Sequence, residues 1–449
     1  MVLSINGGGA VIYLDRETEL TAETLTKIIE YFKLNKLPQL TKWGNYYNSK
    51  HAILNKSYSD ASKECNHIVT NYCKIITDTY SGYICGKPIT YTSNDDIAEI
   101  QEVINYNDSA AEDMRFCHNA LNFGVAYELH WLDKYAKERY AQISPLNCFA
   151  IYDNTLDGDL LYFVRWYAAN TVYSDEEKLI VEVYSAVSKK RYECKALGDA
   201  LTFLDEEPHY FGDVPVSVFS LNEEEVSIFD SIISLNDAYN ELQSSEVDDF
   251  NAWVDAYLVL KGADAESEDI ASMKENRVLL LPADADASWL VKNANDTQIV
   301  NMLDNLKKNI FKVTACPDMA DETFLAQSGT ALAYKLVGFE NVASGIVANF
   351  TKALQRRIEL ICNVLKLKAT DAVWRDIKIN FVRNLPVNLT ELIQLINTLK
   401  GTVSDKTLLS QLPFITDVEA ELEAVAEQKA ANMALYAFGA PADDTDTAA

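Results

Sequence analysis

Residues 328–367 read SGTALAYKLVGFENVASGIVANFTKALQRRIELICNVLKL. Apolar side chains recur in this stretch about every 3.5 residues. The series runs from Leu332 and Leu336 to Ile358 and Ile361. This spacing predicts one continuous helix. A helix of about forty residues is about 60 Å long, which is longer than a monomeric domain needs.

A small β element flanked by two helical patterns lies just before the long helix. The first pattern, at 223–255, has an apolar stripe and a Glu-rich start, which suits the positive end of a helix dipole. The second helix is predicted at 296–314. Between them, the short strands AYLVLKG (256–262) and RVLLLPADADASWLV (277–291) surround an acidic loop. The loop at 315–328 carries three acidic residues and no basic one.

The remaining sequence mixes helical and β patterns in separate blocks. Residues 1–40 predict a mobile start followed by an amphipathic helix that closes at Pro38, and further helices are expected at 60–80 and 95–124. Aromatic and β-branched runs at 125–220 predict an antiparallel sheet. These blocks together predict the α+β class. Beyond the long helix, we expect a strand, two capped helices and an acidic tail, at 373–384, 388–401, 404–412 and 417–449.

The net charge of the chain is unusual for a protein that binds nucleic acid. The 449 residues include 39 Lys and Arg against 67 Asp and Glu, a formal net charge of −28. Such a chain should not bind DNA or an anionic membrane through a broad phosphate-neutralising surface. The eight cysteines include no CxxC pair, and no signal peptide or membrane span is evident. A reducing compartment and a cytosolic protein, or one assembled in a cytosol, are expected.

The sequence contains no complete enzyme or cofactor-binding motif. Gly82–Pro88 is one residue short of a phosphate-binding loop, and proline stands where Ser or Thr would bind magnesium. The five histidines are isolated, so neither a metal nor a cofactor is expected. A carboxylate pair such as Asp153 and Asp157 leaves one alternative open, an acidic cytosolic enzyme acting on a carbohydrate. Dense aromatic residues in the β block could form a sugar platform, although a sheet core explains them better.

Seven segments, in their order and spacing, resemble the portal proteins of tailed bacteriophages, of the type found in siphophages of Gram-positive hosts. The resemblance covers roughly residues 45–400. The segments are YYNSKHAILNK (46–56), NHIVTNYCKIITDTYSGYICGKPITY (66–91), ISPLNCFAIYDNT (143–155), HYFGDVPVSVF (209–219), ISLNDAYNELQSSEVDDFNAWVDAYLVLKG (233–262), SGTALAYKLVGFENVAS (328–344) and LQRRIELI (354–361).

The resemblance implies a portal fold with a wing, a stem, a clip and a crown, assembled as a ring of twelve subunits at one capsid vertex. The long helix fits this plan, because a ring gives each subunit neighbours on two different faces. The implied parts are the wing (1–225 and 329–384), the stem helices (226–253 and 296–314), the clip (254–295), the tunnel loop (315–328) and the crown (385–449).

The same resemblance implies three groups of site residues. The groups are a DNA channel and tunnel loop (Asp318, Met319, Asp321, Glu322 and Phe324), stem candidates for the channel lumen (Lys307, Lys308 and Lys312) and a docking surface on the clip (Asp264, Glu266, Glu268, Asp269, Asp284 and Asp286). We hypothesise that the acidic wall repels DNA phosphates and so lowers the resistance to sliding. The lysines are the exceptions, either as a basic ring that slows backward slippage or as members of stem salt bridges.

The implied partners follow from the role of a portal in a virion. They are other copies of the chain, the terminase large subunit, a head–tail connector, the major capsid and scaffolding proteins, and the double-stranded DNA that passes through. Neither a membrane nor a cofactor is expected. The implied location is a capsid vertex of the virion, after assembly in the host cytoplasm.

Overall fold

The longest helix of the computed structural model runs from Gly329 to Leu367, as the spacing of its apolar residues predicts. The chain divides into two compact units, Met1–Asn384 and Leu385–Ala449. The structure describes residues 11–59, 65–169, 178–254, 258–261, 286–289, 296–320, 329–367, 374–384, 389–409, 412, 415 and 418–438.

The mixture of helices and sheets confirms the α+β class. The helices are α1 (Ala22–Asn35), α2 (Leu37–Tyr47), α3 (Tyr72–Cys85), α4 (Ala98–Tyr106), α5 (Ser109–Phe123), α6 (Ile233–Val254), α7 (Asp296–Val313), α8 (Gly329–Leu367), α9 (Leu389–Leu399), α10 (Asp405–Leu409) and α11 (Val418–Phe438). The strands are β1 (Ile12–Leu14), β2 (Thr90–Thr92), β3 (Val125–Leu132), β4 (Glu138–Ile143), β5 (Cys148–Asp153), β6 (Leu160–Ala168), β7 (Leu179–Tyr184), β8 (Ser188–Cys194), β9 (Thr202–Pro208), β10 (Val216–Ser220), β11 (Leu258–Lys261), β12 (Asp286–Trp289) and β13 (Lys378–Asn380).

The β-rich block forms two sheets that pack against each other. One has the strand order β1-β5-β6-β7-β8-β9 and the other the order β10-β3-β4. A shared core cluster joins them and includes Tyr127 of β3, Phe163 of β6 and Tyr184 of β7. The aromatic residues of this block are therefore largely core, which was the preferred explanation for them in the sequence. All the described pairings in these two sheets are antiparallel except one, β1 with β5.

Strand β1 contradicts the expectation of a mobile start. Ile12 and Leu14 are buried, and β1 pairs in parallel with β5 through the register Ile12↔Ile151. A three-residue strand gives too short a pattern to be read from sequence. Its partner lies far away along the chain, and burial against that partner is what orders it.

Two of the predicted helices at the start of the chain have different bounds in the structure. Pro38 does not close a helix but lies in the first turn of α2, where its missing N–H would have no partner in any case. The helix predicted at 60–80 begins only at Tyr72, because Asn71 caps it by accepting a hydrogen bond from the Lys74 N–H. The residues just before this cap are extended.

The helix predicted at 95–124 is two helices, α4 and α5. They are separated at Asp108, whose backbone is left-handed with a φ of 49°. Gly124 ends α5 at a φ of 77° and turns the chain directly into β3. A Cβ atom there would lie 2.2 Å from the backbone oxygen of Glu225, so this turn requires glycine.

Helix α6 begins at Ile233, ten residues after the Glu-rich start predicted for it. Glu225 is not a dipole-stabilising residue of the first turn, because its carboxylate is buried and forms an ion pair with Lys36. A short 3₁₀ turn at Asp230–Ile232 then leads into the helix. Helix α7 keeps its predicted bounds to within one residue.

The centre of the first unit contains a buried ionic cluster around Arg357 of α8. The Arg357 guanidinium donates two hydrogen bonds of 2.7 Å to Glu128 on β3 and one of 2.5 Å to Asp113 on α5. It also stacks over the Tyr140 ring on β4, with its central carbon 4.6 Å from the ring centre. The Arg357 side chain is fully buried, and this one residue of the long helix connects α5, β3 and β4.

His130 extends this cluster from Glu128 to Glu138. Its ring nitrogens lie 3.0 Å from Glu138 Oε1 and 3.0 Å from Ser217 Oγ. Burial raises the pKa of Glu128, but the charge and hydrogen bonds of Arg357 outweigh burial and lower it to about 2. Burial lowers the pKa of His130, and hydrogen bonds with Glu128 and Glu138 outweigh that effect and raise it. The cluster is therefore held together by ionised groups whose charges compensate one another.

The second unit is helical in the part that the structure describes. Helices α9 and α10 correspond to the two capped helices predicted downstream of the long helix, and Ser404 Oγ accepts a hydrogen bond from the Thr407 N–H at the start of α10. The acidic segment after them forms α11. The terminal segment predicted to fray lies outside the described residues.

Replacing Arg357 tests how strongly the cluster holds the fold. Arg357→Met removes the guanidinium that compensates the buried carboxylates of Glu128 and Asp113, so we expect the free energy of unfolding to fall by about 3–5 kcal/mol. Urea unfolding at fixed subunit concentration measures the loss. Lys352→Met, at an exposed position of the same helix, is the matched control and should change the unfolding free energy by about 0.5 kcal/mol at most. Similar values for the two variants would contradict the assignment.

Candidate channel segment

Helices α6 and α7 are joined through a two-stranded antiparallel ribbon, β11 and β12. The ribbon pairs Leu258 with Trp289 at one end and Lys261 with Asp286 at the other. We call residues 233–313 the helix–ribbon–helix segment. The two helices pack on each other, so the ribbon projects from one end of a helical pair. This is the arrangement that the sequence pattern predicts.

The ends of the two helices that lie far from the ribbon meet on α3. The Tyr72 ring contacts Tyr239 of α6 and Phe311 of α7 edge-on, with ring centres 5.1 Å and 5.7 Å apart. One turn further along the pair, the Tyr80 hydroxyl donates a 2.7 Å hydrogen bond to the carbonyl oxygen of Thr314, just after α7 ends. Aromatic side chains of α3 therefore fix where the helix–ribbon–helix segment begins and ends against the rest of the first unit.

One face of α6 carries a ladder of polar side chains that the apolar pattern does not predict. Its members follow every fourth residue and bond the extended backbone at 66–72. They are Asn236, Asn240, Ser244 and Asp248. Each side-chain oxygen accepts a hydrogen bond from a backbone N–H, those of Tyr72, Thr70, Ile68 and Asn66 in turn, over 2.7–3.1 Å. The helix thereby provides acceptors for backbone N–H groups at 66–72 that would otherwise be unpaired.

The spacing of this ladder is the signal that could have revealed it. Four polar residues at i, i+4, i+8 and i+12 lie on one side of a helix. Asn236, Asn240 and Ser244 are buried, and Asn240 also bonds to His51 over 3.1 Å through its amide nitrogen. The short polar residues on this buried helical face therefore have a structural role, because they bind another segment of the chain.

Several acidic residues of α6 have partners in the first sixty residues of the chain. Asp237 accepts a 2.8 Å hydrogen bond from the Tyr46 hydroxyl, and Glu241 lies 3.0 Å from Lys56 Nζ. Asp248 accepts a 2.9 Å hydrogen bond from the Tyr58 hydroxyl. The negative charge that the sequence places on this helix is therefore partly used for internal contacts of the subunit.

The turn after α7 brings two of the predicted site residues together. Lys307 Nζ lies 2.7 Å from Asp318 Oδ2, and the hydrogen bond between them raises the pKa of Lys307. The other oxygen of Asp318 accepts a hydrogen bond from the Ala320 N–H. Met319 is exposed beside them. Within one subunit, the opposite charges of Lys307 and Asp318 thus offset each other.

The other predicted residues fall into three groups. Lys308 and Lys312 are exposed on α7. Asp286 is the first residue of β12, and its backbone alone is described. The remaining predicted positions lie outside the described residues, and their roles stay predictions: Asp321, Glu322, Phe324, Asp264, Glu266, Glu268, Asp269 and Asp284.

Asp153, one of the two carboxylates named for the enzymatic alternative, has structural partners. Asp153 is buried, its Oδ2 lies 3.0 Å from the Arg16 guanidinium, and its Oδ1 accepts a 2.8 Å hydrogen bond from the Thr155 hydroxyl. In the part of the chain that the structure describes, no three His, Cys, Asp or Glu side chains are grouped as metal ligands. Nor does any described helix combine the length and apolar character that crossing a bilayer requires.

Two comparisons define the class of protein. A family model described as "Phage portal protein, SPP1 Gp6-like" matches residues 26–434. The portal protein of Bacillus phage SPP1 is 22% identical to this chain over 455 aligned positions, which cover 93% of the chain and 89% of the relative. Both matches are to phage portal proteins, which are structural components of the virion capsid.

The chain belongs to the SPP1 Gp6-like family of phage portal proteins, because the family model covers most of its length. The resemblance seen in the sequence is thereby confirmed, and so is the prediction of a portal function in DNA packaging. The protein is structural and non-enzymatic, so the carbohydrate-active alternative is excluded.

Replacing Asn240 tests the polar ladder of α6. Asn240→Ala leaves the Thr70 N–H without its partner, and we expect the free energy of unfolding to fall by about 1–3 kcal/mol. Urea unfolding measures this loss. Glu241→Gln, which weakens a half-exposed ion pair at the adjacent residue, is the control and should cost about 1 kcal/mol or less. If the control costs as much as Asn240→Ala, the ladder is not what holds the 66–72 segment.

Proposed function

We propose that twelve copies of this chain form a ring at one vertex of the capsid and that double-stranded DNA passes through its axial channel. Packaging by the terminase large subunit and ejection into the host would use the same channel. The ring would form during assembly in the host cytoplasm, in contact with scaffolding and major capsid proteins. A head–tail connector would bind it after packaging.

The length of α8 is the observation that carries the ring. Its 39 residues span about 58 Å, and Val337 and Val342 are exposed on it. Phe250 of α6 is exposed as well. A helix this long with apolar side chains on its outer surface is suited to burial against neighbours. A heterologous ring supplies two such neighbours, one on each side of the subunit.

The parts of the portal are assigned from the order of elements. The segments 1–225 and 329–384 would form the wing, α6 and α7 the stem, and the ribbon with its connecting residues the clip. Residues 315–328 would be the tunnel loop, and 385–449 the crown that faces the capsid interior. The Lys307–Asp318 ion pair would anchor the base of the tunnel loop, and Lys308 and Lys312 would remain the stem lysines nearest the channel.

The ribbon supports the assignment of the clip. Two strands of four residues each are too short to be stable by themselves. Because both strands of a two-stranded sheet are edges, each can pair with a further strand. Copies of the ribbon in neighbouring subunits would complete the sheet. The acidic residues from Asp264 to Asp286 would then be displayed together as a surface for the terminase or the connector.

The size and symmetry of the purified protein test the ring. We expect native mass spectrometry to give a particle near twelve times the subunit mass of 50.3 kDa, and negative-stain images along the axis to show twelve-fold symmetry. A ring of thirteen subunits would support the ring but correct the proposed number of copies. A protein that remains a monomer or a dimer at micromolar concentration would contradict the proposal.

The acids of the tunnel loop are tested by packaging. Asp321→Lys combined with Glu322→Lys changes the charge of each subunit by four units and adds attraction for phosphates, so the packaging yield should fall, most strongly at low salt. Asp321→Asn with Glu322→Gln is the control of similar size. It changes the charge by half as much and should have a weaker effect. An unchanged yield for the Lys variant would reject the acidic-loop hypothesis.

A further inference from the structure

We infer that one face of α7, formed by Asn301, Asn305, Lys308 and Lys312, is the surface of the stem that faces DNA phosphates in the channel. This inference rests on the proposed function and deepens it, because it says which residues of the stem contact the passing duplex. We call these four residues the donor strip.

The spacing of the donor strip places its members on one side of the helix. Successive residues of an α-helix are rotated by about 100°, so residues 301, 305, 308 and 312 lie within about 60° of one another. All four side chains are exposed. Ile310, which is fully buried, points about 160° away from the middle of the strip. The strip is therefore the side of α7 turned away from the body of the subunit.

The chemistry of the donor strip suits phosphate oxygens. Two side chains end in an amide and two in an ammonium group, and all four can donate hydrogen bonds. Phosphate oxygens only accept hydrogen bonds and carry negative charge, so the groups are complementary. The nearest carboxylate on the same surface is Asp304, about 40° from Lys308 and about 60° from Asn301, at the edge of the strip. The strip is thus weakly basic in a subunit whose net charge is −28.

Exposed apolar side chains flank the donor strip on both sides. Val300 lies on one side, while Met302 and Val313 lie on the other, and about half of each side chain is exposed. In a ring, the stem helix of each subunit has a neighbour on either side, and those neighbours would cover both apolar flanks. The polar strip between the flanks would then be the part of α7 left facing the lumen.

Several other polar groups of the stem already have partners within the subunit. Lys307 lies on the Val300 side of α7, about 100° from the strip, and forms its ion pair with Asp318. The polar ladder of α6 is occupied by the backbone of residues 66–72, and Asp237, Glu241 and Asp248 have partners within the wing. Of the three lysines predicted for the lumen, Lys308 and Lys312 are therefore the two that would face DNA.

Site-specific photocrosslinking tests this assignment in assembled particles. A genetically encoded benzophenone residue is placed singly at Asn305 or Lys312, in the strip, and at Met302 or Val313, in one flank. The full-length ring is assembled in capsids, packaging is stalled with DNA in the channel, and the sample is irradiated. We expect the strip positions to crosslink to DNA and the flank positions to crosslink to a neighbouring subunit.

The outcomes separate this inference from the ring itself. Crosslinks to DNA from the flank and to a subunit from the strip would overturn the orientation of α7 while leaving the ring intact. Rings that package DNA without a DNA crosslink at either strip position would overturn it too. If wild-type protein forms no ring in solution or in capsids, the proposed function fails first, and native mass spectrometry of the same sample shows this.

A charge variant provides a second readout that does not depend on a bulky probe. Lys308→Gln with Lys312→Gln should accelerate DNA slippage from a stalled motor by about twofold or more at low salt, and the difference should shrink at high salt because these contacts are screened. Lys352→Gln, exposed on α8, is the control and should leave the slippage rate unchanged. An equal slippage rate for the double variant and wild type at low salt would overturn the role of the strip.

Discussion

Arg357 is the residue on which the position of the long helix depends. Its guanidinium is fully buried and bonds two carboxylates from different elements, Glu128 of β3 and Asp113 of α5. Sliding α8 by one turn, about 5.4 Å, would separate these charges inside the protein, where an unpaired ion costs several kcal/mol. The ionic cluster therefore fixes the register of α8 against β3 and α5. It also fixes where the N-terminal end of that helix, next to the predicted tunnel loop, can lie.

Many of the acidic side chains behind the net charge of −28 have partners within the subunit. Several acids of α6 bind the first sixty residues of the chain, Asp318 is paired with Lys307, and Glu128 and Glu225 are buried with basic partners. Part of the acidic excess thus stabilises single subunits and is not displayed to DNA. An acidic channel wall consequently depends on residues such as Asp321 and Glu322. Net charge predicts weak binding of DNA, but it does not say which surface faces the duplex.

Periodicity predicted the parts of the fold that depend on local sequence. The long helix α8 and helix α7 follow from the spacing of apolar residues within one segment, and so their bounds were close. The ribbon was predicted as two short strands, but the described part of its second strand, 286–289, is shorter than the predicted 277–291. Pairings between distant segments could not be predicted this way. Strand β1 pairs with β5, and the polar ladder of α6 bonds the backbone at 66–72. Arg357 bonds two residues that lie more than two hundred positions away along the chain. Among the candidate site residues, Asp318 and Lys307 were both named, but their ion pair depends on how the turn at Thr314–Ala320 folds back.

Helix α3 contacts the elements that precede and follow the predicted tunnel loop. Tyr72 contacts both α6 and α7, Tyr80 bonds the carbonyl oxygen of Thr314, and the Tyr80 and Tyr83 rings pack on Phe339 of α8 with ring centres 4.5 Å and 4.6 Å away. Glu340, next to Phe339, is bonded to the Tyr83 hydroxyl and to Arg383. Residues that precede and follow the predicted tunnel loop are therefore attached to the same helix. Because packed aromatic contacts resist small displacements, these contacts fix the positions of Thr314 and Phe339 relative to α3.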